Sequence, residues 1–282
     1  MNTVWISPER LSYLIAEDVP YFDLTSHLLE LDDVDSQIEF YSREPGLLCG
    51  SEEVAQIIEM LGAHVINFAP SGTKLKAQEI FFTAEGPASS IHAAWKVCLN
   101  IFEHYSAIAT KTRHFVDLIE EVDPSIHLFT TRKSIPGIKD FSTKALLLGG
   151  ALPHRLGLSE TILIFEEHRT LIGGKEGLLN IIPELLNKAK EKRIFVECEA
   201  EDVMDYLKAG VNGIQLDKAK PKEAKQIIAY AKQKYPHVSF VLAGGISEKN
   251  IQEYAHCGAD GLVSSAVFYT KPLNMSVHIN AL

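Results

Sequence analysis

Six short apolar runs in the second half of the chain, HLFTT, TILIF, RIFVECE, GIQLD, VSFVLAGG and DGLVSS, constrain the fold most. Stretches with helical spacing separate them, among them DFSTKALLLGG, GLLNIIPELLNKAK, EDVMDYLKAG, PKEAKQIIAYAKQKY and SEKNIQEYAHCG. Strands this apolar with helices between them read as right-handed β-α-β units and a parallel sheet buried on both faces. No G-x-G-x-x-G follows the first strand, so the repetition predicts an α/β barrel, complete or slightly open, over a doubly wound sheet.

The chain before these runs reads differently. SPERLSYLIAEDV is expected to be a helix capped by Ser7, with Pro8 in its first turn. SEEVAQIIEMLG is expected to be a helix begun by Ser51 and ended by Gly62, burying Val54, Ile57, Ile58 and Leu61. DSQIEFYSREPGLLCG suggests two strands around a turn at Pro45-Gly46, and HVINFA and EIFFTAEG suggest two more. Strands and helices in no strict order imply an α+β unit. From about Ser90 some forty residues have helical spacing, with a break expected near Tyr105-Ser106. The charge changes at the same place: residues 1–89 hold 4 Lys and Arg against 15 Asp and Glu, and the remaining 193 hold 23 against 22. The expected domains are 1–110 and 111–271, with residues 272–282 returning to the first.

A net charge of -10 argues against nucleic-acid or membrane-surface partners, which need a basic face. The opening MNTVWISPER lacks a basic lead and an apolar run, and no window approaches about 18 apolar residues, so a cytoplasmic protein is expected. Cys49, Cys98, Cys198 and Cys257 form no C-x-x-C pair and are expected to be buried thiols.

In a parallel barrel, ligands meet the C-terminal ends of the strands. Those ends are Thr131-Arg132-Lys133, Phe165-Glu166, Glu197-Cys198-Glu199, Asp217-Lys218, Gly244-Gly245 and Ser264-Ser265. Gly244-Gly245, between a strand and a helix, exposes amides suited to phosphate, and Ser264-Ser265 adds hydroxyls and amides. Residues 130–174 hold six Lys and Arg against four Asp and Glu, besides His154 and His168. Arginine and lysine there suit an anion with several charged groups. Glu197 and Glu199 lie two apart on one strand and share a side, where a metal or a structural cation could pair with them. Asp217 suits either catalysis or helix capping.

Taken in order, AEDVPYFDLTS, LNIFEHYSAIATKTR, TTRKSIPGIK, GGALPHRLGLSETILIFEEH, VECEAED, GIQLD, LAGGIS and GADGLVSSA resemble the quinolinate phosphoribosyltransferase (nicotinate-nucleotide pyrophosphorylase) family from end to end. The resemblance implies an N-terminal α+β sandwich followed by an open-faced parallel α/β barrel of the type II phosphoribosyltransferase kind. It also implies a homodimer or hexamer with shared active sites. The implied reaction joins phosphoribosyl pyrophosphate to an anionic aromatic N-heterocyclic acid, quinolinate in the parent family, with pyrophosphate released, and it serves NAD biosynthesis. Arg132, Lys133, His154 and Arg155 map onto the pocket for substrate carboxylates and phosphate, and Lys133 also onto a catalytic position. Glu199 and Asp217 map onto acids that hold Mg2+ and stabilise the ribosyl cation; Gly244, Gly245, Ser264 and Ser265 take phosphate.

Two positions depart from the family pattern. Trp95-Lys96 stands where Glu-Arg is usual, so Lys96 replaces an arginine that reaches the partner subunit's site. Phe165 stands where a substrate-facing lysine is usual. Both resemble the ModD branch, associated with molybdate-transport operons, and point to an acceptor other than quinolinate. Another class of reading is a noncatalytic protein that binds a phosphometabolite or an oxyanion. A phosphate-binding aldolase is a third, but no strand-borne lysine suggests a Schiff base.

Overall fold

The computed structural model describes residues 4–282, so the first three residues of MNTVWISPER lie outside it. It resolves into two units: residues 4–114, 135–150 and 268–282 form one, and residues 115–134 and 151–267 form the other.

The first unit opens with α1 (Pro8–Asp18), whose Arg10 amide donates to the Ser7 hydroxyl at 3.3 Å, and a short α2 (Leu24–Leu28). Strands β1 (Asp35–Ser42) and β2 (Gly46–Leu47) flank Pro45, yet they are not a hairpin. After α3 (Ser51–Met60) and β3 (His64–Phe68) come β4 (Lys74–Leu75), which pairs with β2, and β5 (Ile80–Pro87). An antiparallel sheet runs in the order C-terminal strand (Met275–Ala281), β1, β5, β3. Helix α3 is capped by Gly50 rather than by Ser51: the Ser71 hydroxyl accepts from the amides of both, at 3.0 and 3.2 Å.

The long helical stretch is a single helix, α4 (Ala88–Glu120), with no break at Tyr105-Ser106. Ser106 fits the helix interior because its buried hydroxyl accepts from the Cys49 amide at 2.9 Å. Helix α5 (Lys139–Leu148), expected among the barrel helices, groups instead with the first unit. Two anchors explain this: Phe141 stacks on Tyr105 at 4.5 Å, and buried Lys144 reaches Glu53 at 2.5 Å and Glu52 at 2.7 Å. All four cysteines are free and buried.

The second unit is a curled, seven-stranded parallel half-barrel. Its strands are β6 (His127–Thr130), β7 (Leu152–Pro153), β8 (Ile162–Ile164), β9 (Ile194–Cys198), β10 (Gly213–Asp217), β11 (Ser239–Ala243) and β12 (Gly261–Ser264). Their order is β7-β6-β12-β11-β10-β9-β8, so two strands consecutive in the chain stand at opposite edges. Helices α6 (Glu166–Thr170), α7 (Gly174–Lys188), α8 (Val203–Ala209), α9 (Pro221–Lys234) and α10 (Ile251–Ala255) intervene along the chain. β7 has no sequence signal, because its two residues are too short to show a period.

Leu163, Phe195, Val241, Ala243 and Val263 fill the interior, with Phe129 and Phe165 packed against them. Burying a side chain of this kind contributes about 1.5–3 kcal/mol. Glycines on neighbouring strands make room for the rings. A β-carbon at Gly213 would lie 2.2 Å from the Phe195 ring, and one at Gly261 would lie 2.3 Å from the Phe129 ring. These side chains floor the half-barrel at one end, and polar residues take over at the strand ends beyond them. Among the described residues no helix is long and apolar enough to cross a membrane.

Candidate active site

The strand ends of the half-barrel enclose a cavity of about 430 Å3. On one side Arg132 and Lys133 follow β6, and His154 and Arg155 follow β7. All four line it, together with Phe165 at the end of β8. The curl of the sheet brings its edges together: the Arg155 guanidinium lies 5.6 Å from the Phe165 ring centroid, and the His154 ring lies edge-on to Phe195 of β9 at 6.1 Å.

Arg155 is 8% exposed, and its Nη1 donates to the Thr161 carbonyl at 3.4 Å. Among the described residues no carboxylate pairs with it. Burial, and then the charge of Arg132, press its pKa down; burial and then Arg155 do the same to His154. A buried cation without an anion is costly. The cavity therefore holds a buried cation with no carboxylate partner among the described residues, beside an apolar floor.

Carboxylates gather on the opposite side. Glu197 of β9 accepts from the Gln215 side chain of β10 at 2.5 Å, and both line the cavity with Asp217. Burial raises the Glu197 carboxyl; the Gln215 bond opposes this, and the charge of Asp217 adds to it. Two oxygen acids that repel one another in a half-buried site suit a hard divalent cation. Glu199 is exposed just past β9 and does not line the cavity. Its backbone stays extended (φ -73°, ψ 159°), and one step beyond the last ladder pair, Leu216 with Cys198, it falls beside Asp217. Among the described residues no group of three or more His, Cys, Asp or Glu could hold a metal ion. An ion at Asp217 would therefore draw its remaining ligands from substrate and water.

Gly244 and Gly245 follow β11 with φ of +87° and +75°, conformations that residues with a β-carbon seldom adopt. The helix expected after them begins only at Ile251 and has five residues, so it adds no helix dipole at the glycines. Ser264 is also differently occupied. Its buried hydroxyl donates to the Ile246 carbonyl at 2.7 Å and accepts from the Ala266 amide, so it braces the glycine loop. Ser265, Gly244 and Gly245 line the cavity beside it.

Lys218, next after Asp217, was not chosen from the sequence. It holds φ at +54° and lines the cavity, with its Nζ 3.5 Å from Asp217 Oδ2. Left-handed backbone costs a residue with a β-carbon about 1–2 kcal/mol, while an exposed ion pair returns about 0–1 kcal/mol. Gln215 had no signal of its own in the sequence, although stepping back by two from Asp217 finds it; of the Glu197 and Glu199 pair expected at the strand end, Glu197 is the one that lines the cavity. Lys96 belongs to the first unit, on α4, where its ammonium sits 4.3 Å from the Trp95 ring centroid. His168 and Arg169 serve the fold: His168 Nδ1 accepts from the Phe165 amide at 3.1 Å, and Arg169 donates to the Tyr206 hydroxyl at 3.2 Å.

A parallel half-barrel preceded by an antiparallel sheet unit is the architecture of the type II phosphoribosyltransferases. Residues 23–106 match the family description "Quinolinate phosphoribosyl transferase, N-terminal domain", and residues 108–278 match its C-terminal domain. The chain is 30% identical over 277 residues to ModD of Escherichia coli O127:H6, a protein named as a pyrophosphorylase, with 98% of each chain covered. It is 27% identical over 274 residues to a protein of Methanothermobacter thermautotrophicus named as a carboxylating nicotinate-nucleotide pyrophosphorylase, covering 95% of this chain and 97% of that one. The solved nicotinate-nucleotide pyrophosphorylase of Francisella tularensis has the same fold, with a TM-score of 0.88 at 24% identity and 98% of both chains covered. The chain thus belongs to the quinolinate phosphoribosyltransferase family, which makes it a pentosyltransferase by class.

Proposed function

We propose that the protein transfers phosphoribose from phosphoribosyl pyrophosphate to an aromatic N-heterocyclic acid and releases diphosphate. The observation that carries this reading is Arg155: a buried guanidinium with no carboxylate partner among the described residues, at an apolar floor, across the cavity from paired acids. Arg155, His154, Arg132 and Lys133 bind the acceptor's acid group and hold its ring against Phe165. Gly244, Gly245 and Ser265 take the 5-phosphate through amides and a hydroxyl. Breaking the anomeric bond develops positive charge at the ribose, which Asp217 stabilises across a partly water-excluded site.

Mg2+ fits Asp217, with Glu197 beside it on the cavity wall and with substrate and water completing its shell, and would supply charge neutralisation for the diphosphate; Glu199, exposed past β9, lies outside the cavity lining. Phe165 gives the acceptor site an apolar wall beside Arg155, which favours a ring with one acid group there over one with two. By the same reading the enzyme is cytoplasmic and works as a homodimer or hexamer, with Lys96 serving a neighbouring subunit's site.

The test is to incubate pure protein with phosphoribosyl pyrophosphate, Mg2+ and a panel of pyridine and other heteroaromatic acids that includes quinolinate. Equal amounts of diphosphate and a mononucleotide are expected with at least one acid. Absence of both across the panel would overturn the reading.

A further inference from the structure

Three non-glycine residues among those described have left-handed backbone; Glu30 and Gln78 belong to the first unit, and Lys218 stands at the cavity. Two strands are shaped to seat it. The Lys218 amide donates to the Ala243 carbonyl of β11 at 2.8 Å. A β-carbon on Gly244 would come within 2.6 Å of Lys218 Cγ and 2.7 Å of its nitrogen. The lysine's ion pair with Asp217 is open to solvent, since 81% of its side chain is exposed. Such a pair is too weak to account for the strained backbone. Strain that persists at a cavity wall points to a use there.

The position of Lys218 suggests that use. Arg132 and Lys133 follow β6, while Lys218 follows β10, three strands away across β12 and β11. The cavity thus has one cationic bank at Arg132 and Lys133 and a second cation, Lys218, beside the acids Asp217 and Glu197, with the paired glycines and Ser265 between them. An acid with one anionic group needs a single bank. A sugar carrying phosphate at two positions needs a second. We infer that Lys218 holds the diphosphate leaving group, an inference that rests on the phosphoribosyl pyrophosphate reading above. As the bond from C1 of the ribose to the diphosphate oxygen breaks, its electron pair leaves on that oxygen. The acceptor's ring nitrogen forms the new bond to C1 with its own lone pair. The Lys218 ammonium offsets the charge gained by the departing oxygen and keeps its proton.

Calorimetric titration of inorganic diphosphate, phosphoribosyl pyrophosphate and ribose 5-phosphate, each with Mg2+, tests this on the wild type, Lys218→Asn, Lys218→Gly and Lys218→Arg. Asparagine and glycine both accept the left-handed backbone, so these two variants remove the charge without adding strain. They are expected to melt no lower than the wild type. They should bind diphosphate and phosphoribosyl pyrophosphate about 10- to 100-fold more weakly. Ribose 5-phosphate affinity should stay within about twofold, and Lys218→Arg should keep diphosphate affinity within about threefold. Wild-type affinity for diphosphate in Lys218→Asn and Lys218→Gly would overturn the inference and leave the proposed function standing. A wild type that binds neither phosphoribosyl pyrophosphate nor ribose 5-phosphate would overturn both.

Discussion

Two buried cations, one in each unit, show how the same physics serves fold and function. Lys144 in the first unit is 1% exposed and held by Glu53 and Glu52, and Glu52 also accepts from the Ser71 hydroxyl and amide beside the α3 cap. Burial alone would lower its pKa, yet the two carboxylates outweigh it and the net shift is upward. Arg155 in the second unit is nearly as buried, has no such partner among the described residues, and is shifted down. Where the chain supplies the counter-ion, the charge locks structure. Where it leaves the counter-ion out, as at Arg155, the charge stays open to a ligand, the use that the proposed function gives it.

Exchanging the two roles should separate them, and the largest effect is expected at Lys144. Lys144→Met strands two carboxylates and should cost about 3–5 kcal/mol of stability, read as a denaturant midpoint moved sharply down with ligand sites intact. Arg155→Met should do the reverse. Its melting temperature should hold or rise, while affinity for the acceptor acid falls by about 2–5 kcal/mol, or roughly 30-fold to several thousand-fold. A smaller, pH-dependent effect is expected at Glu52. Burial would raise its carboxyl, but Lys144 and Ser71 hold it at about 2. A depressed carboxyl stabilises the fold above its ordinary value near 4.5, and that stability is lost as pH falls toward about 2. Glu52→Gln should flatten this part of an acid denaturation profile.

The smallest effect, of opposite sign, is expected at Glu197. Its carboxyl is raised, by burial first, so ionising it above the ordinary carboxylate range destabilises the fold. Glu197→Gln should melt about 1–4 °C higher at pH 8 and show no gain at pH 4. A lower melting temperature at pH 8 would show that the Gln215 bond, rather than the buried charge, dominates there.

The contrast also explains what could be read from the sequence. The apolar runs of β6 and of β8 to β12 stand out by composition, so the parallel sheet was legible, and so were the strand ends that bring Arg132, Lys133, Asp217 and Gly244 together; His154 and Arg155 follow the two-residue β7, which has no such run, and the family resemblance, rather than a strand, pointed to them. The allegiance of α5 was not legible, because it depends on where Lys144 and Phe141 find partners far away in the chain. The hydrogen bonding of Ser264 and the backbone of Lys218 were hidden for a related reason. Whether a hydroxyl is already spent on a carbonyl, or a lysine backbone is turned left-handed, is settled by neighbouring strands rather than by the residues beside it. Phe165 was visible as an apolar residue at a strand end, but its packing beside Arg155 required the curl of the sheet.

One measurement bears most directly on the central claim that this cavity performs phosphoribosyl transfer. Diphosphate and mononucleotide would be quantified together from phosphoribosyl pyrophosphate, Mg2+ and the best-binding heteroaromatic acid, for the wild type, Arg155→Met and Asp217→Asn. One diphosphate per mononucleotide is expected in the wild type, and a large loss of both in each variant. Tight binding of phosphoribosyl pyrophosphate and acid, with no product and no change in affinity in Asp217→Asn, would contradict that claim and mark the cavity as a binding site without chemistry.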